Sequence, residues 1–229
     1  MSGGNIERLA TSPVLRFVLS TAPWTGGIAT LLSDRALERR FRRIESFLSS
    51  VSDRVDEIAN AGHTVDDLMV ESDEFLTVFE WAMDEAVKTD DEIKLEYLRN
   101  FLVSSALTVR PDSSVRRMFS SYVSRLAGSH LVALVGIAKA QADIAESDRL
   151  GRHEIRGRVP VTADFVAAMF DPVSSRLAVA VCVDLCGMGL LVDWADLAEG
   201  GRRQRGFSVT ETGRLFTRFL ESSWTTELV

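Results

Sequence analysis

Apolar side chains recur along the first half of the chain at alternating steps of three and four residues, the spacing of one face of a helix. The longest series follows Ser33, an N-cap residue type, and stops before Gly62, a residue type that often ends helices. It comprises Leu37, Phe41, Ile44, Leu48, Val51, Val55 and Ile58. This heptad spacing predicts a long amphipathic helix with a continuous apolar seam.

Four shorter apolar series follow and predict four more helices. They include Phe75, Phe79 and Met83; Leu98, Phe101 and Leu102; Val115, Met118, Phe119, Tyr122, Val123 and Leu126; and Leu131 to Ala142. Thr89 and Glu92 have the spacing of a capping box, which predicts the start of the third helix. Five helices within residues 33–147 predict an all-α bundle. The arginine- and glycine-containing segment 148–160 has no periodicity, and we interpret it as a linker.

The chain after Pro160 alternates helical and strand-like patterns. The predicted elements are a short helix capped by Thr162, a helix from Ser174 to Cys186, a turn at Gly187-Met188-Gly189, a strand from Leu190 to Trp194, a loop from Ala195 to Gly206, a strand from Phe207 to Thr210 and a helix from Thr212 to Leu220. Two helices, a hairpin with a basic tip and a further helix predict a small α+β module over residues 161–221, followed by a tail at 222–229.

This module resembles a known family in its hairpin and in the turn that follows. Leu185, Gly189, Leu190, Leu191 and the run Val209-Thr210-Glu211-Thr212-Gly213 are similar to the end of the recognition helix, the wing and the "LT..G" turn of bacterial multiple-antibiotic-resistance-type regulators. The resemblance implies a winged-helix fold. It also implies DNA binding, with the second helix in the major groove and wing arginines on phosphates.

The residues themselves favour protein contact over DNA. The helix over 177–186 is apolar nearly all round, and Asp184 on it would repel a phosphate backbone. A formal net charge of -7 also argues against a general nucleic-acid binder. We therefore expect a protein partner, which includes a second copy of the chain. The residues expected to contact it are Leu177, Val181, Arg202, Arg203 and Arg205, and DNA binding is the disfavoured alternative.

A third hypothesis concerns the apolar segment 1–32. Residues 13–32 carry a single charge, Arg16, and are long enough to cross a bilayer. Arg35, Arg39 and Arg42 project opposite the apolar seam of the next helix, so Trp24 and these arginines could meet an anionic membrane. The layout resembles uncharacterised bacterial helical proteins of the abortive-infection type, which implies a membrane-acting effector. A buried hairpin and a solvated helix face are the alternatives.

No residue pattern in the chain indicates catalysis. Its three histidines lie apart from any nucleophile pattern, and Cys182 and Cys186 share a helix face without a second ligand pair, so core packing explains them better than a metal. We therefore expect no cofactor, no metal and no enzymatic activity. The sequence predicts a non-enzymatic regulatory or adaptor protein that forms homo-oligomers in the reducing cytosol, with membrane association through residues 13–32 as the alternative.

Overall fold

A computed structural model describes residues 34–60, 72–107, 112–147, 160–170, 174–199 and 202–221. These residues are mostly helical, as predicted, and form one small antiparallel sheet. The helices are α1 (Asp34–Asn60), α2 (Asp73–Lys88), α3 (Glu92–Ser105), α4 (Ser113–Arg125), α5 (Gly128–Ser147), α6 (Ala163–Ala167), α7 (Ala178–Gly187) and α8 (Glu211–Glu221). The strands are β1 (Val161–Thr162), β2 (Leu191–Glu199) and β3 (Arg202–Val209), and a 3-10 turn (Ser174–Leu177) leads into α7.

The described residues divide into two compact units, one within Met1–Arg125 together with Phe219–Val229 and the other within Leu126–Arg218. The first unit holds α1 to α4 and the end of α8. The second holds α5, the sheet, α6, α7 and most of α8. The sequence placed α5 in the N-terminal bundle, whereas α5 is grouped with the second unit because it packs against α7 and β3.

In the first unit, α1 packs against α2 and α3. Leu48, Val51 and Ile58 of the predicted seam are buried there, whereas Ile44 and Val55 are only half-buried, and Phe47, which the predicted seam did not include, is buried as well. The start of α3 differs from the prediction. The N-cap is Asp91, whose carboxylate accepts a hydrogen bond from the Lys94 amide at 3.1 Å. Thr89 instead accepts a hydrogen bond from the Asp91 amide, so it holds the capping residue in place without capping the helix itself.

Aromatic rings from four helices form the centre of the first unit. Phe101 of α3 stacks edge-to-face with Phe219 of α8 at 4.8 Å between centroids, and with Trp81 of α2 at 5.1 Å. Phe119 of α4 lies 5.6 Å from Phe219. The three phenylalanines are fully buried, and the Trp81 indole donates a hydrogen bond to Ser124 at 2.8 Å. Phe219 thereby fixes the end of α8 in this core.

In the second unit the three strands are ordered β1-β3-β2, and both pairings are antiparallel. The hairpin is longer than predicted, since much of the expected loop from Ala195 to Gly206 is strand. Arg202, Arg203 and Gln204 pair with Glu199, Ala198 and Leu197, after an irregularity between Trp194 and Leu197. Backbone pairing requires no apolar pattern, and residues 195–199 show no regular alternation of apolar and polar side chains, so the sequence did not predict this extension.

The side chain of Gln141 on α5 completes the hydrogen bonding of β3. Its amide oxygen accepts a hydrogen bond from the Val209 N–H at 2.9 Å, and Gln141 is buried. Because an unpaired buried N–H is costly, this contact fixes the position of α5 against the end of the strand.

The turn between β3 and α8 is built on Thr210 and Gly213. The Thr210 hydroxyl accepts a hydrogen bond from the Gly213 amide at 2.9 Å and lies 2.8 Å from the Gly189 carbonyl oxygen, to which it can donate. A Cβ atom on Gly213 would lie 2.3 Å from the Leu190 carbonyl oxygen. Thr210 therefore starts α8, and Gly213 allows the helix to approach the preceding turn.

Candidate functional site

The 3-10 turn and α7 have one buried face and one exposed face. Ala178, Val181, Cys182 and Leu185 point into the core of the second unit. Five exposed residues of the opposite face form a surface that we call the α7 strip: Arg176, Leu177, Ala180, Val183 and Asp184. Leu177 is 61% exposed and Val183 is 40% exposed, which are high values for large apolar side chains. The strip therefore offers an apolar centre between one positive and one negative charge.

The structure corrects the predicted partner contacts on this helix. Leu177 lies at the surface as expected, but Val181 is only 8% exposed and packs into its own unit, so it is not available to a partner. Ala180 and Val183 occupy the exposed positions that the prediction missed. The sequence could not show which face of α7 is exposed, because both faces carry apolar residues.

A second apolar side chain is exposed on the neighbouring helix α6. Thr162 caps this helix as predicted, accepting a hydrogen bond from the Phe165 amide at 3.3 Å. The Phe165 ring is 49% exposed, while Val166 beside it is fully buried. α6 packs against the 3-10 turn and α7. The exposure of Phe165 could have been predicted from the sequence, because this residue lies outside the helix face that buries Val166.

Three of the predicted partner contacts, Arg202, Arg203 and Arg205, lie on β3. The Arg205 guanidinium donates to both carboxylate oxygens of Asp193, with Nε 3.1 Å from each, and lies 5.6 Å from the centroid of the Phe207 ring. Hydrogen bonding to Asp193 raises the pKa of Arg205. Arg202 and Arg203 occupy the first two positions of β3, opposite Glu199 and Ala198. Of the predicted wing contacts, Arg205 is thus already paired within the hairpin.

Asp184 keeps most of its carboxylate accessible. Its Oδ2 atom lies 3.5 Å from Nε2 of His130 on α5, yet the side chain is 65% exposed. The negative end of the α7 strip is therefore available to a cation from outside the unit.

Cys182 and Cys186 are free thiols on α7, and Cys182 is buried while Cys186 is half-buried. Burial raises the pKa of Cys182 to about 12 and that of Cys186 to about 11. Among the described residues, no group of three or more His, Cys, Asp or Glu side chains has the arrangement of a metal site.

These raised pKa values predict unreactive thiols in the folded protein. Since the thiolate is the nucleophile, modification at pH 8 is expected to be at least about a hundredfold slower in the native protein than in urea. Timed reaction with a chromogenic disulfide reagent measures this. The Cys186→Ser variant isolates Cys182, the more deeply buried thiol, which should react slowest. Comparable rates in native and unfolded protein would contradict the assignment.

The arginine-rich start of α1 is described only in part. Arg39 is exposed, and Arg42 forms a 2.8 Å ion pair with Glu38 on the same helix. Arg35 lies in α1, while Trp24 and the whole segment 13–32 are outside the described residues. Of the helices that the structure describes, none combines the length and apolar character needed to cross a bilayer. The membrane hypothesis stays a prediction.

The first unit also contains an open cleft of about 410 Å³ between α1, α2 and α3. Its charged lining is mixed, with Arg43 and Arg99 facing the same space as Glu92 and Glu96. Arg43 donates to the Val87 carbonyl oxygen at 3.2 Å, and Arg99 lies 3.8 Å from Glu96. Of these charged side chains, Arg99 and Glu96 thus pair with each other, while Arg43 is held by a backbone carbonyl group.

Comparisons with known proteins do not assign the chain to a family. Neither a family model, nor a curated protein, nor a solved structure matches the chain significantly.

Proposed function

We propose that the protein is a non-enzymatic regulatory or adaptor protein whose second unit is a winged-helix module that binds protein through the α7 strip. The order α5, β1, α6, α7, β2, β3 and the sheet order β1-β3-β2 support the winged-helix assignment. In this reading α5 is the first helix of the module and α7 is the helix that other winged-helix proteins place in DNA. The hairpin β2–β3 is the wing.

The observation that carries the proposal is the chemistry of the exposed face of α7. A helix that reads bases needs polar side chains that reach base edges. The α7 strip instead exposes Leu177, Ala180 and Val183, with Phe165 exposed on the adjoining helix α6. Exposed apolar residues grouped on one element and bordered by charges are typical of protein interfaces.

The electrostatics of the module point in the same direction. Asp184 on the strip would lie against phosphates if α7 entered a groove. Arg205, one of the three wing arginines that the resemblance would place on phosphates, is held by Asp193. Both features reduce the affinity for DNA while leaving a protein contact unaffected.

Site-specific photo-cross-linking in the expressing cell tests the proposal. A benzoylphenylalanine placed at Ala180 is expected to give a discrete adduct with a protein, because this position lies at the centre of the strip. The matched control is Ala142, an exposed alanine on α5 of the same unit. At least about tenfold less adduct is expected there. Equal labelling at both positions, or none at Ala180, would reject the α7 strip as a protein-binding surface.

An electrophoretic shift assay at low and moderate salt tests the DNA alternative. The proposal expects only weak, salt-sensitive retention of DNA. Tight and sequence-selective binding that disappears when Arg202, Arg203 and Arg205 are all replaced with alanine would overturn it.

A further inference from the structure

We infer that the partner of the α7 strip is a second copy of this chain, bound with the two α7 helices antiparallel about a twofold axis through Ala180. The inference rests on the proposed function of the strip. It follows from the order of residues on the strip. An apolar residue lies at the same distance on each side of Ala180, and next to each apolar residue lies a charged residue, positive on one side and negative on the other.

The strip is arranged symmetrically about Ala180. Leu177 and Val183 each lie three residues from Ala180, and Arg176 and Asp184 each lie four residues from it. At 3.6 residues per turn, all five fall within about 60° on either side of Ala180. All five are exposed in the structure, including the two that belong to the 3-10 turn.

A twofold axis perpendicular to the helix at Ala180 brings residues at equal distances from Ala180 to the same height along the two helices. Leu177 of one copy then lies level with Val183 of the other, and Arg176 lies level with Asp184, close enough for the two charged side chains to pair, at both ends of the contact. Ala180 meets itself, and its small side chain lets the helices approach closely. Such an isologous contact uses the same patch on both subunits, as most homodimers do.

Charge selects the antiparallel arrangement over the parallel one. A parallel pair would set Arg176 against Arg176 and Asp184 against Asp184, and like charges that face each other across an interface disfavour association. The antiparallel pair replaces both repulsions with two ion pairs.

The positions of these charges on the helix support the same arrangement. Arg176 lies at the N-terminal end of the helical segment and Asp184 lies in its last turn. This is the reverse of the preference set by the helix dipole, which favours anions at the N-terminus and cations at the C-terminus. In an antiparallel pair, each charge approaches the favourable end of the partner's helix.

The contact is small, so we expect a weak dimer. A single pair of facing helices buries less than the interfaces of stable complexes. Sedimentation equilibrium of the full-length protein, from about 10 to 500 µM and at low salt, covers the range in which such an interface associates.

Charge reversal gives the decisive experiment. Arg176→Glu and Asp184→Arg are each expected to weaken self-association at least about tenfold, because each places like charges opposite each other twice. The double variant restores opposite charges and should dimerise within about threefold of the wild type. An equimolar mixture of the two single variants should form a heterodimer with an affinity close to that of the wild-type dimer, although each variant alone self-associates more weakly.

Asp143→Arg is the matched control for Asp184→Arg, since Asp143 is an exposed carboxylate on α5 and its reversal changes the net charge by the same amount. It should leave self-association unchanged, and circular dichroism verifies that every variant is folded. A wild type that stays monomeric, single variants that dimerise normally, or a mixture without heterodimer would each overturn the twofold arrangement.

The outcome is separable from that of the proposed function. A cross-link from Ala180 to a different protein, together with a monomeric wild type, would leave the α7 strip as a protein-binding surface and remove only the dimer. Absence of any protein adduct would instead remove the proposed function.

Discussion

Replacing Phe219 with alanine is expected to lower the free energy of unfolding by about 3–5 kcal/mol, the usual cost of deleting a fully buried aromatic ring. Phe219 is fully buried and contacts both Phe101 and Phe119. Its removal leaves a cavity between α3 and α4 of the first unit. The Ser104 hydroxyl would still donate to the Phe219 carbonyl oxygen, at 2.9 Å in the structure. The decrease in the free energy of unfolding therefore measures the contribution of the aromatic ring alone.

Urea denaturation followed by circular dichroism measures this change, and peptide-level hydrogen exchange assigns it to the first unit. Phe165→Ala is the matched control, because the same ring is removed from a half-exposed position on α6. It should cost less than about 1 kcal/mol. Equal destabilisation by the two variants would mean that Phe219 is not part of the core of the first unit.

Replacing Gly213 with alanine is expected to destabilise the second unit by about 2–3 kcal/mol, the range seen when an atom is forced into a closely packed site. The new Cβ would meet the Leu190 carbonyl oxygen at 2.3 Å and a methyl group of Val209 at 2.7 Å. The carbonyl oxygen cannot move easily, because it accepts a hydrogen bond from the Thr210 amide at 3.0 Å. The start of α8 must therefore shift away from the turn.

Gly187→Ala is the control for this variant. Gly187 ends α7, and a Cβ there would meet nothing within 4 Å. The same chemical change should leave the free energy of unfolding within about 0.5 kcal/mol of the wild-type value. If the Gly213 variant keeps the wild-type stability, the start of α8 lies farther from the Leu190 carbonyl group than this distance implies.

Local features of the fold could be predicted from the sequence. The seam of α1, the Thr162 cap and the strand, turn and helix from Phe207 to Leu220 were all evident, because periodicity and capping residues act over a few positions. The structure explains the Thr210-Glu211-Thr212-Gly213 pattern physically, with a threonine that starts α8 and a glycine that makes room for it.

Features that depend on tertiary packing could not be predicted in this way. An apolar helix such as α7 does not reveal which face is buried, so Val181 was assigned to the surface and Val183 was missed. The ion pair between Asp193 and Arg205 depends on the register of the hairpin, which only the backbone pairing defines. The grouping of α5 with the second unit likewise depends on contacts distant in sequence.

The hydrogen bond between Gln141 and Val209 has a consequence for aggregation. Among the described residues, β1 pairs with Gly206 and Phe207 alone, and strand edges with free backbone groups readily recruit strands from other chains. At Val209 the buried amide of Gln141 takes the place that an incoming strand would otherwise occupy. On this side of the sheet, a short strand and a helix side chain thus discourage pairing of the amyloid type. The module can display an apolar helix without also offering this edge as a template.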